Sequence, residues 1–377
     1  MDDRARGSGI GIVGLGACLP SRIRGNDWWA GRLPEEPSGD LMSDAVEGAH
    51  ASGGDAWSIA RRWAREPFHG AVHRRVIDDA HASSDLEIAA CRQALELARL
   101  SPSEISTLLG YSQVTDDAGP GNQGLVARAL ELPRELLALS VEGGCASFVT
   151  HLELACRLGA AGKHTLMFQS SATSRISDPD TFPSTQVGDG AVAQIVGPVA
   201  DGLGYVDGLH WLRPELRDGL VLGRMDGERR WYEAGPRPSP LVISARDRRL
   251  ATQMGAVGPE YCREVCAALL QRNGLGPDDV DFFVCAQAGA WFGEAAAVTL
   301  GIGAGRWVPA GDHFQRYGHL LAASAPLNLW VAWTTGRLRV GDLVLIYSPG
   351  VGFIQAAALV RWSLPAPPAK TAATEVP

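Results

Sequence analysis

Residues 86–113 read LEIAACRQALELARLSPSEISTLLGYSQ. Leu86, Ala90, Ala94 and Leu97 recur at helical spacing, and Ser84 and Asp85 before them are cap-forming types, which predicts a helix over 83–100. Pro102 and Glu104 mark a turn, and Thr107–Tyr111 is a strand-type run. The same order returns at 261–287, YCREVCAALLQRNGLGPDDVDFFVCAQ. Again a cysteine-bearing apolar helical face leads through a turn with proline and an acid into a strand that ends near Gln. A pattern of this length occurring twice predicts two duplicated α/β halves packed on one another, with chemistry where the strand ends meet.

Between the copies lies 139–162, LSVEGGCASFVTHLELACRLGAAG. A β-type run ends in Glu142, Gly143-Gly144 makes a tight turn, and Cys145 opens a segment whose Phe148, Leu152, Ala155, Cys156 and Gly159 are near helical spacing. That places Cys145 on the first turn of a helix, where unpaired N–H groups favour the thiolate and so the nucleophilic form of sulfur. A cysteine in such a run is otherwise an inert core residue. The residues alone leave both readings open.

Bulk properties exclude several classes. The 377 residues are 46% hydrophobic, enough for one or two cores, and the formal charge of -8 comes without a basic block of the kind that binds nucleic acid. No apolar run reaches the length of a membrane span, about 18 residues, and the polar start MDDRARGSG lacks a signal-peptide layout. The seven cysteines are odd in number and sit mostly in apolar runs, which predicts a reduced, cytoplasmic protein without a disulfide framework. Cys262 and Cys266 share one helix face, but no histidine pair nearby completes a metal set, so they read as core and no metal is expected.

Taken in order, residues 1–9 read as loose and Ile12–Ala17 as a buried strand. Its glycines run into Cys18, Leu19 and Pro20 rather than a helix, which argues against a dinucleotide fingerprint. Residues 22–80, with Trp28, Trp29, Trp57 and Trp63, read as a helical cover or lid; His69 and His73 fit a surface turn. Strands are predicted at 164–170, 191–196, 278–285, 341–348 and 353–362, with helices at 121–129, 259–273, 289–300 and 326–335. Residues 200–240 read as an excursion, and the Pro/Ala/Thr-rich end after 363 as a disordered tail.

The ordered set GIGIVGLGACLP (9–20), GGCASF (143–148), SDPDTF (177–182), VGDGAVAQIVG (187–197), DFFVCAQAGAWF (281–292), YGHLLAASAPLNL (317–329) and GDLVLIYSPGVGFIQAAALVRW (341–362) strongly resembles the thiolase superfamily, and within it the β-ketoacyl-ACP synthase III group and its acyltransferase relatives. The resemblance covers nearly the whole chain, least at 22–80 and 200–240. It implies a five-layered αβαβα core of two thiolase-like halves, 1–200 and 201–363, followed by the 364–377 tail. It implies a homodimer, and Cys145 as the nucleophile that takes an acyl group from an acyl-carrier-protein or CoA thioester, with no other cofactor. It implies an oxyanion hole made by the N–H groups of Cys145 and Val351. Glu142 would form a salt bridge at the dimer face.

Two departures fall at the chemistry. The family's His-Gln-Ala-Asn histidine is Ala286 here, and the Tyr-Gly-Asn asparagine is His319. Trp291 and Phe182 stand where basic groups would meet a carrier, which disfavours ordinary CoA priming. With one donor missing, the leading expectation is an acyltransferase in specialised metabolism: Cys145 passes its acyl group to an oxygen or nitrogen of a small-molecule acceptor, with His319 as general base. His313 reads as a polar loop residue and Ser324 and Asn328 as wall residues. The alternatives are a decarboxylative carbon–carbon condensing enzyme with an altered site, and a non-catalytic partner subunit.

Overall fold

The computed structural model describes residues 5–33, 55–64, 66, 68–159, 163–224, 241–369 and 371–376. Parts of the two irregular stretches, 34–54 and 225–240, fall outside them.

In chain order the strands are β1 (Ile10–Pro20), β2 (Ile23–Gly25), β3 (His73–Arg75), β4 (Ile105–Ser112), β5 (Leu137–Ser140), β6 (His164–Ser171), β7 (Gly190–Pro198), β8 (Gly204–Leu212), β9 (Val221–Arg224), β10 (Leu241–Ser244), β11 (Phe282–Cys285), β12 (Leu343–Gly350), β13 (Ile354–Arg361) and β14 (Thr374–Val376). The helices are α1 (Asp55–Ala64), α2 (Ser83–Ala98), α3 (Gln123–Ala129), α4 (Ser147–Leu158), α5 (Arg248–Ala256), α6 (Gly258–Arg272), α7 (Phe292–Leu300), α8 (Phe314–Tyr317) and α9 (Ser324–Thr334).

The repeat is visible down to its turns. In each copy the helix, α2 or α6, leads through a one-turn 3₁₀ segment that starts at proline, Pro102–Glu104 or Pro277–Asp279. The acid at the end of each turn reaches back to the backbone before it. Ser101 N donates to Glu104 Oε2 at 2.8 Å, and Gly276 N donates to Asp279 Oδ2 at 2.8 Å. Each satisfies a backbone donor that would otherwise lack a partner and aims the chain into a buried strand, β4 or β11.

One sheet has the order β14-β1-β7-β6-β4-β5 and the other β11-β12-β13-β8. Helices α4 and α9 touch strands of both sheets, so they form the middle layer; α2 covers the outer face of the first sheet and α6 and α7 that of the second. The result is the αβαβα sandwich. In the middle layer α9 is buried from Ser324 to Trp333, whereas α4 exposes Arg157 and Leu158 at its C-terminal end. Gly14 and Gly16 of β1 explain the glycine-rich start. A Cβ at Gly14 would lie 2.6 Å from Ala94 O, and one at Gly16 2.3 Å from Ala90 O. They let α2 press onto the sheet and hold no phosphate.

Two terminal expectations are corrected. Residues 5–9 are held rather than loose: Gly7 N donates to Gly202 O, and Arg361 Nε donates to Ala5 O at 3.0 Å. The stretch read as a disordered tail carries β14, which pairs parallel to β1 with Cys18 opposite Thr374. Gln93 Nε2 holds Ala372 O at 2.8 Å, and Arg75 meets Glu375 at 2.9 Å. Three residues add an edge strand because β1 presents an unpaired edge there.

Candidate active site

Cys145 sits at the junction of β5, α4 and the β12–β13 turn. The helix starts later than its sequence spacing suggests: Gly144–Ala146 is a 3₁₀ turn and α4 begins at Ser147. Ser147 locks this turn, its Oγ donating to Gly144 O at 2.7 Å and accepting from Gly143 N at 3.0 Å. Ser348 Oγ of β12 donates to Cys145 O at 2.6 Å, tying the second sheet to the elbow.

Gly144 of this turn and Gly350 opposite it are required by close approach. Gly144 has φ +54, and a Cβ there would stand 2.9 Å from Val351 N and 2.7 Å from Val351 Cγ2. Opposite, a Cβ on Gly350 would be 2.2 Å from Gly143 O. The 350–352 turn therefore lies directly against 143–146, and the Val351 main chain faces the nucleophile turn. Two amide donors converging on one carbonyl oxygen are what tetrahedral acyl chemistry needs.

Cys145 Sγ lies 3.9 Å from His319 Nε2. His319 follows α8 and is fixed by its backbone: its N donates to Gln186 O at 2.7 Å, and its O accepts from Gly188 N at 3.1 Å. This explains VGDG as a structural turn, since a Cβ on Gly188 would fall 1.9 Å from Tyr317 O.

The electrostatics differ from the sequence expectation. Burial pushes the Cys145 thiol up to about 12, and only its own backbone N–H offsets this. The backbone donor at the helix start acts in the thiolate's favour but is the smaller of the two effects. Burial likewise brings His319 down to about 4, partly offset by the Gln287 backbone. The resting pair is thiol and neutral imidazole, able to pass a proton when a substrate carbonyl arrives.

Ala286 is 1% exposed at the end of β11. Beside it Gln287 Nε2 donates to Val308 O at 2.7 Å, and Asn328 Oδ1 accepts from Cys285 N at 3.4 Å. Cys285, Cys262 and Cys266 are buried with thiols raised or, for Cys266, packed 3.9 Å from Cys262. All seven cysteines are unpaired. Glu142 is exposed.

Some neighbours carry no sequence signal. His151 in α4 is fully satisfied, its Nε2 bonding Val141 O at 2.9 Å and its Nδ1 meeting Gln169 Nε2 at 2.9 Å, and so supports the backbone that enters the elbow. Tyr111 of β4 bonds Gln113 Oε1 at 3.2 Å, and burial raises its hydroxyl, with Glu142 and Cys145 adding to that. His313, read as a polar loop residue, is completely buried.

Beyond Val187, whose backbone bridges to His319, a cavity of about 300 Å³ is lined by Arg24, Trp28, Trp29, Arg32, Arg175 and Ser184, among others. The Arg24 and Arg32 guanidinium groups stand 4.2 and 4.4 Å from the Trp28 ring centre. A wider surface groove between the ends of α2 and α3 shares no residue with this site. Trp291, by contrast, is buried against Trp57 and Phe292, and Phe182 stacks on His69. The positive charge at this cavity comes from arginines distant in sequence from those two positions.

Residues 270–362 match the family described as 3-oxoacyl-[acyl-carrier-protein (ACP)] synthase III C terminal. The β-ketoacyl-[acyl-carrier-protein] synthase III of Brucella anthropi is 30% identical over 363 residues, 93% of this chain and 98% of that protein. The chain belongs to the β-ketoacyl-[acyl-carrier-protein] synthase III family. The synthase III of Thermus thermophilus, 26% identical, superposes with a TM-score of 0.72 over 94% of this chain and 99% of that one. The priming β-ketosynthase of the R1128 polyketide pathway shares the fold with a TM-score of 0.75 at 21% identity, over 96% and 98%. Membership in this synthase III family overturns the expectation of acyl transfer to an oxygen or nitrogen acceptor. The matching relatives are β-ketoacyl synthases aligned over 98% of their own length, which favours the alternative of carbon–carbon condensation. Among the described residues no helix is long and apolar enough to cross a membrane.

Proposed function

We propose that this synthase III family member is a decarboxylative carbon–carbon condensing ketosynthase that uses Cys145 as nucleophile and His319 as the single active-site imidazole. The observation that supports this most is the 3.9 Å approach of Cys145 Sγ to His319 Nε2, with the Val351 main chain packed on Gly144.

In the first half-reaction Cys145 sulfur attacks the carbonyl of an acyl thioester. A carbon–sulfur bond forms, the donor's carbon–sulfur bond breaks, and the thiol proton passes through His319 Nε2 to the leaving thiolate. The N–H groups of Cys145 and Val351 hold the oxyanion. In the second half-reaction a malonyl-type thioester loses CO₂, leaving its electron pair on the α-carbon as an enolate. Ala286 and its apolar neighbours give the carboxylate no cation, and a charge in such surroundings is costly, which favours its departure as neutral CO₂. His319 Nε2–H stabilises the enolate oxygen. The enolate carbon then attacks the acyl carbonyl, the carbon–carbon bond forms, and the Cys145 thiolate leaves and takes a proton from solvent.

The donor is a phosphorylated carrier, CoA or acyl-carrier protein. The Arg24, Arg32 and Arg175 side chains lining the cavity beyond Val187 support this, because guanidinium suits phosphate. The active form is a homodimer. β5 is the edge of its sheet, and Leu137 and Leu139 are 47% and 37% exposed. Carboxyl-labelled malonyl thioester tests the function: CO₂ release should match β-keto product and vanish in Cys145→Ala.

A further inference from the structure

Arg74 of β3 is 0% exposed, and its hydrogen bonds go to neutral acceptors. Its Nε donates to Thr185 O, and its Nη1 to Asn26 Oδ1 and, at 3.2 Å, to Val72 O. Its Nη2 is buried and finds no hydrogen-bond partner among the described residues. The guanidinium lies 4.4 Å from the Trp29 ring centre and 5.5 Å from that of Phe68. Burial brings its pKa down to about 9, which leaves it charged at neutral pH. A cation held on neutral groups is costly to bury, and for packing alone an apolar side chain would serve better. What an apolar side chain cannot do is tie Asn26, Val72 and Thr185 to one planar group.

The tied segments border the reaction on two sides. On one side is the cavity lined by Arg24 and Arg32. Trp29 and Ser184 belong to its wall, and Trp29 Nε1 donates to Ser184 Oγ at 2.9 Å. Thr185, which Arg74 holds, follows Ser184 directly. On the other side is His319. Gln186, the next residue, has its O accepting from His319 N at 2.7 Å, and its Nε2 donates to Phe68 O at 2.9 Å and to Thr185 Oγ1 at 2.8 Å. Arg74 also packs on the residue before the imidazole: a Cβ on Gly318 would stand 3.2 Å from Arg74 Cγ and 2.9 Å from Gln186 O. The backbone that fixes His319 therefore rests on Arg74 and Gln186. With no exposed surface, Arg74 acts through these neighbours and not on substrate.

Resting on the Cys145–His319 acylation step proposed above, we infer that Arg74 is a positioning residue, with Gln186 as its relay, that binds the wall of the donor cavity to the backbone carrying His319 and so holds the imidazole at its working distance from Cys145. The 3.9 Å between Cys145 Sγ and His319 Nε2 depends on where residues 318 and 319 lie, and a displacement of about 1 Å there weakens proton transfer steeply. No bond is made or broken at Arg74. Its charge strengthens the hydrogen bonds to the three acceptors, and its planar fork sets their directions. Lysine, a single donor on a flexible stem, does not reproduce that fork.

The test uses Arg74→Met, Arg74→Lys and Gln186→Leu in the full chain, each alone and combined with His319→Ala. Intact mass gives the acylation rate of Cys145 across donor concentrations. Two donors are compared: an acyl-CoA, and the same acyl group on N-acetylcysteamine, which has no phosphate for the arginine cavity. Both Arg74 variants should lower the saturated acylation rate about tenfold or more with either donor, and Gln186→Leu should lower it by less. In the His319→Ala background the same substitutions should change the remaining rate by no more than about twofold, because their effect passes through His319. Gln186→Leu with its His319→Ala partner carries the test if the Arg74 variants do not fold. A loss confined to the KM for acyl-CoA would mean that Arg74 only shapes the cavity, and would overturn the inference. Equal fold-losses with and without His319, or wild-type acylation in Arg74→Met, would overturn it as well. If acyl-enzyme forms but nothing condenses, the proposed function fails, and the acylation rates still decide this inference.

Discussion

Cys145 and His319 combine two opposite displacements with one cause. Enclosure raises the thiol to about 12 and lowers the imidazole to about 4, because both charged forms lose solvation. The base form of His319 is therefore already present well below its ordinary titration range. Acyl-enzyme formation should stay level as pH falls from 7.5 to 5.5 and decline only toward the lowered value; stopped-flow or quenched intact-mass rates check this. An acid limb near 6.5 would mean that His319 is more open to water than its burial states. Cys145→Ala should abolish the acyl adduct, while Cys156→Ala and Cys285→Ala keep it. His319→Ala should slow turnover by ~10²–10⁴-fold, the usual contribution of a positioned general base.

At the scale of elements, the turns that hold the site are constrained by backbone contact more than by side chains. Gly144→Ala would place a methyl 2.9 Å from Val351 N at a φ of +54. The expected cost is about 1–3 kcal/mol of stability, with a larger loss of acylation than of donor binding, read from a kcat-against-KM comparison. Glu87 of α2 is a second element-level device. It is 0% exposed and joins three strand and helix ends, accepting from Ser112 Oγ at 2.6 Å, from Ser170 Oγ and from Asn122 Nδ2 at 3.0 Å. Burial raises it to about 7, against hydrogen bonds from those three residues that lower it. The folded state thus binds this proton more tightly than the unfolded chain. Its stabilising contribution is complete below the ordinary glutamate value, 4.5, and is lost as pH rises through about 7. Denaturation at pH 5 and pH 8.5 should show Glu87→Gln losing a pH dependence of up to about 3 kcal/mol. Equal pH dependence in both proteins would contradict the assignment.

Over the whole molecule, what was legible in the sequence was local. The helix–turn–strand repeat, the Gly143-Gly144-Cys145 turn and the α9 run each carry their signal within about thirty residues. What was not legible depends on residues far apart. β14 exists because β1 offers an edge more than 350 residues earlier in the chain, with Cys18 opposite Thr374. The arginine cavity joins Arg24 to Arg175, and the raised thiol of Cys145 reflects packing from both sheets. The acyltransferase reading gave the altered pair Ala286 and His319 more weight than the full-length likeness to condensing synthases, although a neutral His319 can itself supply a donor.

The exposed β5 edge gives a further test at this scale. Sedimentation should find a dimer at micromolar concentration, and Leu137→Lys with Leu139→Lys should shift it toward monomer; a monomeric wild type would remove the proposed interface. Decarboxylative condensation on one imidazole is open to direct measurement. Purified enzyme would be loaded with an acyl thioester, then mixed with malonyl thioester labelled at the free carboxyl, following released CO₂ and the β-keto product together. One CO₂ should be released per new carbon–carbon bond, dependent on Cys145. Acyl-enzyme that forms normally, yet gives neither CO₂ nor β-keto product with CoA-linked or carrier-protein-linked malonyl, would contradict it.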